Sequence, residues 1–227
     1  MTKRKLAAEL LLVLAAVPLC VAAGSLLFAD RRYMLVAAVI ALISCLLFFL
    51  SFEGRDTGTK KLVLISAMTA LSVAGRFLFS PIPFFKPVTA IVIICGVNLG
   101  CEAGFLCGSL SAFISNFLFM QGPWTPFQMF IWGAIGFFAG LLSKPLKSSP
   151  VLLLSYGALS GILYSAFMDI WTTVWFDGTF LFSRYAAAAV AAIPVTIVYI
   201  FSNIVFLFAL SGPIGKKLER VRTKYGL

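Results

Sequence analysis

The chain has 227 residues, 61% hydrophobic and only 11% charged, against roughly 45–50% and 25% in soluble domains. Its net charge of +10 arises from 18 Lys and Arg against 8 Asp and Glu, and it has no histidine. That absence excludes Ser–His and Cys–His nucleophile pairs, His-ligated zinc or iron, and histidine proton relays. The basic residues border apolar runs, where they meet anionic headgroups, so the charge does not point to nucleic acid.

In chain order the apolar runs are 6–28, 33–52, 62–80, 88–100, 103–121, 127–143, 151–175 and 185–211. A span needs about 20 apolar residues to cross the hydrocarbon core. The runs therefore predict an all-α, polytopic membrane helix bundle of about eight transmembrane helices. The fourth run is short, which suits a half-helix or a tightly packed segment. The chain divides into an N-terminal transmembrane hairpin (1–59), a six-helix membrane core (60–215) and a basic tail (216–227). No connector has room for a soluble catalytic domain.

Basic residues alternate between connectors. Lys3, Arg4 and Lys5 precede the first run; Arg55, Lys60 and Lys61 follow the second; Lys144 and Lys147 sit in a later connector; Lys216, Lys217, Arg220, Arg222 and Lys224 close the chain. Positive flanks stay on the cytoplasmic side, so both termini are expected there. The N-terminal run imitates a secretory signal, yet it is longer than an ordinary signal core of about 7–15 residues and is expected to be a retained span.

The first core run places Ser66, Ala70 and Ala74 at four-residue spacing. The fifth repeats the device with Gly104, Gly108 and Ala112, and the sixth with Gly133, Gly136 and Gly140. Small residues at this spacing admit close helix approach in lipid. Packing within the chain and a face for another subunit read alike. Three external connectors are rich in Pro, Gly and aromatics: 80–87, 121–126 and 175–184. Proline stiffens such loops. They converge above Arg76, Asn116, Gln128 and Asp169, and apolar walls with a few placed polar groups suit a small-molecule pocket.

Few ionisable groups lie within the runs. Glu9 is close to the basic N-terminus and reads as a snorkelling residue. Glu102 falls in a tight turn, where a helix N-cap or first-turn role is expected. Arg76 and Asp169 are expected to pair with each other or with a polar solute, since buried charges in membranes are retained for function. Cys20, Cys45, Cys95, Cys101 and Cys107 form no C-x-x-C pair and read as small buried hydrophobes, with ligation of a cofactor's central ion as the minor alternative. No metal site and no catalytic residue are expected. The string beginning at Gly212 lacks Walker A spacing, so any ATP-driven work requires another subunit.

Residues 60–211 resemble the substrate-binding membrane subunit, or S component, of an energy-coupling factor (ECF) vitamin transporter. The resemblance is carried by the small-residue helix, the Pro81-Ile-Pro83 loop, the Gly100-Cys-Glu-Ala-Gly104 and Gly108 pattern, Asn116, and Gly122-Pro-Trp124. It implies a non-enzymatic subunit in a prokaryotic plasma membrane that captures a vitamin outside the cell. It also implies two kinds of partner, a transmembrane coupling subunit and two ATPase subunits. The large aromatic loops and Gly122-Pro-Trp124 look most like the cobalamin type, with riboflavin, folate, thiamine, a queuosine precursor and other small solutes as the alternatives. The resemblance assigns partner docking to Ser66, Ala67, Ala70 and Ala74. Vitamin binding is expected at Arg76, Phe84, Phe85, Asn116, Trp124, Gln128, Asp169 and Trp175. The vitamin is cargo, and no resident cofactor is expected.

Three rival readings follow from the residues. A self-sufficient secondary transporter would show two related halves with broken helices, but the sequence has no clear internal repeat. A lipid-modifying enzyme would need clustered acids, and Asp177 is the only further acid near Asp169 on that side. A membrane assembly protein would show packing faces alone.

Overall fold

The computed structural model describes residues 58–122, 124–177 and 181–226. The expected spans 6–28 and 33–52, with Glu9, Cys20 and Cys45, lie outside the described residues. Among the described residues the chain is entirely helical: α1 (Gly58–Leu78), α2 (Val88–Leu99), α3 (Cys101–Phe119), α4 (Thr125–Leu141), α5 (Ser143–Ser148), α6 (Pro150–Asp177), α7 (Phe182–Ala191) and α8 (Ile193–Tyr225). Four of these, α1, α3, α6 and α8, are long and apolar enough to cross a membrane.

The short fourth run is α2, and its place in the bundle explains its composition. All of its residues except Asn98 are buried, and it packs against α1, α3, α4 and α8. A helix that is apolar all round belongs inside a bundle. Gly100 turns the chain from α2 directly into α3 at φ +102°, a left-handed backbone that glycine tolerates without a Cβ penalty.

Glycines set the spacing of the central helices. A Cβ on Gly96 would lie 2.1 Å from the carbonyl oxygen of Gly136, and one on Gly104 would lie 2.2 Å from the same atom. One on Gly108 would meet the Trp132 carbonyl oxygen at 2.3 Å. The small-residue faces of α3 and α4 are therefore used up against each other and α2. Gly157 and Gly161 do the same between α6 and α8, where a Cβ on Gly161 would lie 2.9 Å from the Ile200 nitrogen.

The last apolar run, expected as one span over 185–211, is two helices. α7 ends at Ala191, and α8 begins at Ile193 with Pro194 in its first turn. Proline has no N–H to continue the preceding helix and is well suited to a first turn. α8 then runs without interruption through Lys216 and Lys217 to Tyr225, so the basic tail from 216 continues the helix. At about 1.5 Å per residue its 33 residues exceed the hydrocarbon thickness, and its basic end extends beyond it.

Contacts gather the basic connectors at one end. Lys61 pairs with Glu102, in the first turn of α3, at 3.8 Å. Arg222 donates to the Asn98 carbonyl at 3.0 Å, and Lys60 to the Tyr225 carbonyl at 3.4 Å. Burial, and then the charge of Arg222, hold the Lys147 ammonium below the ordinary lysine range. Arg76 lies near the opposite end of α1.

Candidate solute-binding cavity and outer groove

A hydrogen-bonded relay crosses four helices near that opposite end. From α1, Arg76 Nη1 donates to Asn116 Oδ1 of α3 at 2.8 Å and also to Ser115 Oγ. Asn116 Nδ2 donates to Gln128 Oε1 of α4 at 3.0 Å and to Thr125 Oγ1 at 2.9 Å. Gln128 Nε2 donates to the Tyr164 hydroxyl of α6 at 3.1 Å. Asn116 is fully buried, so the chain of amides holds the guanidinium in place without a carboxylate. Among the described residues no ion pair joins Arg76 to Asp169, which replaces the expected pairing.

The relay borders a cavity of about 350 Å³. Its walls include Arg76, Phe84, Phe119, Gln128, Trp132 and Tyr164; Lys86, Thr89, Tyr199 and Asn203 also reach it. The Trp132 and Tyr164 rings stack at 5.0 Å and 17°, and Tyr199 meets Tyr164 edge-on at 5.1 Å. Trp132 Nε1 donates to Thr89 Oγ1 at 3.2 Å, which fixes the indole plane. The Arg76 guanidinium carbon lies 4.8 Å from the Phe119 ring centre and 5.3 Å from that of Trp132, within cation–π range.

The loop between α1 and α2 forms one rim. Lys86 donates through Nζ to the carbonyls of Phe79 and Ile82, the latter at 2.8 Å. Ser202 of α8 bonds both the N–H and the carbonyl of Lys86 at 3.0 Å. Phe84 adopts φ 60°, a left-handed backbone unusual for a bulky residue, and its ring meets Tyr199 edge-on at 5.9 Å.

The eight expected binding residues therefore separate. Arg76, Phe84 and Gln128 line the cavity, and Asn116 stands directly behind them. Phe85 points elsewhere, with its ring 4.9 Å from Phe206 and 6.0 Å from Phe79. Trp124 and Trp175 join Trp171 in a separate indole cluster, Trp124 edge-on at 5.8 Å and Trp175 stacked at 6.2 Å. Asp169 is partly buried on α6 and is not a lining residue. Trp132, Tyr164 and Tyr199 were not singled out from the sequence, although Trp132 follows Gln128 by four residues and so shares its helix face. Cys95, Cys101 and Cys107 are buried and in no disulfide, and none lines the cavity, so no described cysteine is placed to ligate a cargo ion.

A second concavity, about 440 Å³, opens on the outside of the bundle. It lies between α1 (Ser66, Thr69, Ala70, Val73, Ala74, Phe77) and α3 (Leu110, Ile114, Leu118). Ser66, Ala67, Ala70 and Ala74 are all exposed. Ala67 borders the groove without lining it. Unlike the glycine faces of α3 and α4, this stripe is not consumed by packing within the described chain.

Fold and site define a polytopic helical membrane protein with a solute-sized cavity near one end. The profile of the ECF-type riboflavin transporter S component family matches residues 56–220, and the chain belongs to that family. It is thus a substrate-binding subunit of an ECF transporter. The match is to the riboflavin type and lends no support to the cobalamin type expected from the loops. No curated protein and no solved structure matches the chain.

Proposed function

We propose that this subunit captures a flavin-type vitamin from outside a prokaryotic cell and delivers it through a transmembrane coupling subunit driven by two ATPases. The observation that carries the reading is the cavity itself. It has a stacked aromatic wall (Trp132, Tyr164) continued edge-on by Tyr199 and then Phe84, and a fixed row of donors and acceptors from Arg76 to Gln128. A planar, amide-bearing ring system could stack on that wall while its polar edge meets the relay.

Size favours a flavin over cobalamin. The cavity of about 350 Å³ falls at the low end of the roughly 300–1,000 Å³ typical of small-molecule sites. A corrin with its appended nucleotide is several times larger than a tricyclic ring. The aromatic loop residues that suggested cobalamin, Trp124 and Trp175, associate with Trp171 and leave this cavity unenlarged.

The groove on α1 supports docking of the coupling subunit at Ser66, Ala67, Ala70 and Ala74. Lipid supplies no hydrophobic drive for helix association, so close contact over small residues is the main source of affinity. The test is uptake of labelled riboflavin by cells that express the chain together with an ECF module. The reading expects ATP-dependent uptake that unlabelled riboflavin competes away and cobalamin does not. Uptake without the module, or competition by cobalamin alone, would overturn it.

A further inference from the structure

The charge of the cavity is one-sided. Among the described residues two cations line it, Arg76 and Lys86, and no Asp or Glu does. Arg76 places both of its protein hydrogen bonds on Nη1, to neutral acceptors. Its Nη2 and Nε have no partner among the described residues. Lys86 spends two of its three ammonium protons on the carbonyls of Phe79 and Ile82, which aims the group without neutralising it. Serine, asparagine and backbone carbonyls orient a cation but leave its charge uncompensated. Burial, and then the charge of Arg76, hold the Lys86 ammonium below the ordinary lysine range. Two like charges held beside aromatic, low-dielectric walls concentrate a positive potential in the space between them.

We propose that the ligand of this cavity is an aromatic solute bearing an anionic group, a phosphate monoester or a carboxylate, seated between Arg76 and Lys86. The inference rests on the flavin-type reading above and narrows it to the charged members of that class. A guanidinium with two free donor positions matches a phosphate or carboxylate edge, and the Lys86 ammonium supplies a second point charge. The ring would take the Trp132–Tyr164 wall. The phosphate of an anionic lipid headgroup offers the same chemistry, and the experiment separates the two sources.

The full chain is purified into phosphatidylcholine nanodiscs, and riboflavin and riboflavin 5′-phosphate are titrated by quenching of flavin fluorescence. One charge-assisted contact predicts that the phosphate binds about 10- to 100-fold tighter. Lys86→Gln should erase most of that preference, the phosphate losing far more affinity than riboflavin, in a protein whose melting temperature shows it still folds. Arg76→Lys, which keeps the charge but loses the fork, should weaken the phosphate more than riboflavin. Riboflavin binding as tightly as its phosphate, or a preference that survives Lys86→Gln, would overturn the anionic proposal and leave the flavin reading standing. Failure of both flavins to bind would overturn the flavin reading itself and this proposal with it. Loss of the preference when phosphatidylglycerol is added to the nanodiscs would assign the cations to a headgroup and likewise overturn the proposal.

Discussion

Gly136→Ala is the smallest change that tests how the central helices are held. The added Cβ would lie 2.3 Å from the Gly104 carbonyl oxygen, 2.5 Å from its carbonyl carbon and 2.8 Å from a Val92 methyl. Ordinary contact requires roughly 3.4 Å or more between carbon atoms, so α3 and α4 must separate by about an ångström. The obstruction is backbone, and no side-chain rotamer relieves it. Overpacking of this kind costs about 1–3 kcal/mol. In a chain of this size each kcal/mol lowers the melting temperature by about 2–4 °C. A fall of about 2–12 °C is therefore expected in detergent, measured by thermal unfolding monitored through tryptophan fluorescence. Gly212→Ala is the control, because nothing lies within 4 Å of a Cβ there. A Gly136→Ala protein that melts together with wild type and Gly212→Ala would refute the close packing.

Ala70→Leu fills the outer groove without touching the cavity, so it should abolish co-purification with the coupling subunit while ligand affinity stays unchanged; loss of ligand binding would contradict the groove assignment. Gln128→Leu removes the middle of the relay and strands Asn116 and Tyr164, and it should weaken flavin binding by about tenfold or more in equilibrium titration. Phe84→Gly relieves a left-handed backbone worth about 1–2 kcal/mol yet removes a wall ring. Stability should hold or rise while affinity falls, and a drop in both would argue against strain at Phe84. Glu102→Gln removes the charge of a buried carboxylate that faces the half-buried Lys61 at 3.8 Å and should lower stability by about 1–3 kcal/mol by chemical denaturation.

Much of the fold was legible because hydropathy and charge act along the chain. Five of the six core runs coincide with helices to within a few residues, whereas the last breaks before Pro194 and its helix runs on past 211 to Tyr225. Even the anomalous fourth run carried the sign of a central helix, being apolar on every face. Rotation of each helix about its own axis was not legible, since the neighbours decide it. Ser66, Ala70 and Ala74 look like Gly104 and Gly108 in sequence, yet one stripe faces outward and the other is locked against α4. The same ambiguity governed the site. Arg76, Asn116 and Gln128 stood out as polar residues in apolar runs, and the relay unites them. Trp132, Tyr164 and Tyr199 did not stand out, because an aromatic inside a span is ordinarily core or belt. The loop aromatics were conspicuous, but Phe85 turned to Phe79 and Phe206, and Trp124 and Trp175 gathered on Trp171.

Assignment of the vitamin to the cavity between α1, α2, α3, α4, α6 and α8 is tested most directly at Trp132. Riboflavin is titrated into the purified protein and into Trp132→Ala, with melting temperatures recorded alongside. Saturable binding to wild type is expected, with an affinity loss of about thirtyfold in the variant, the scale of a buried aromatic anchor worth about 2 kcal/mol. Equal affinity in a folded Trp132→Ala protein would contradict the assignment and move the site elsewhere in the bundle.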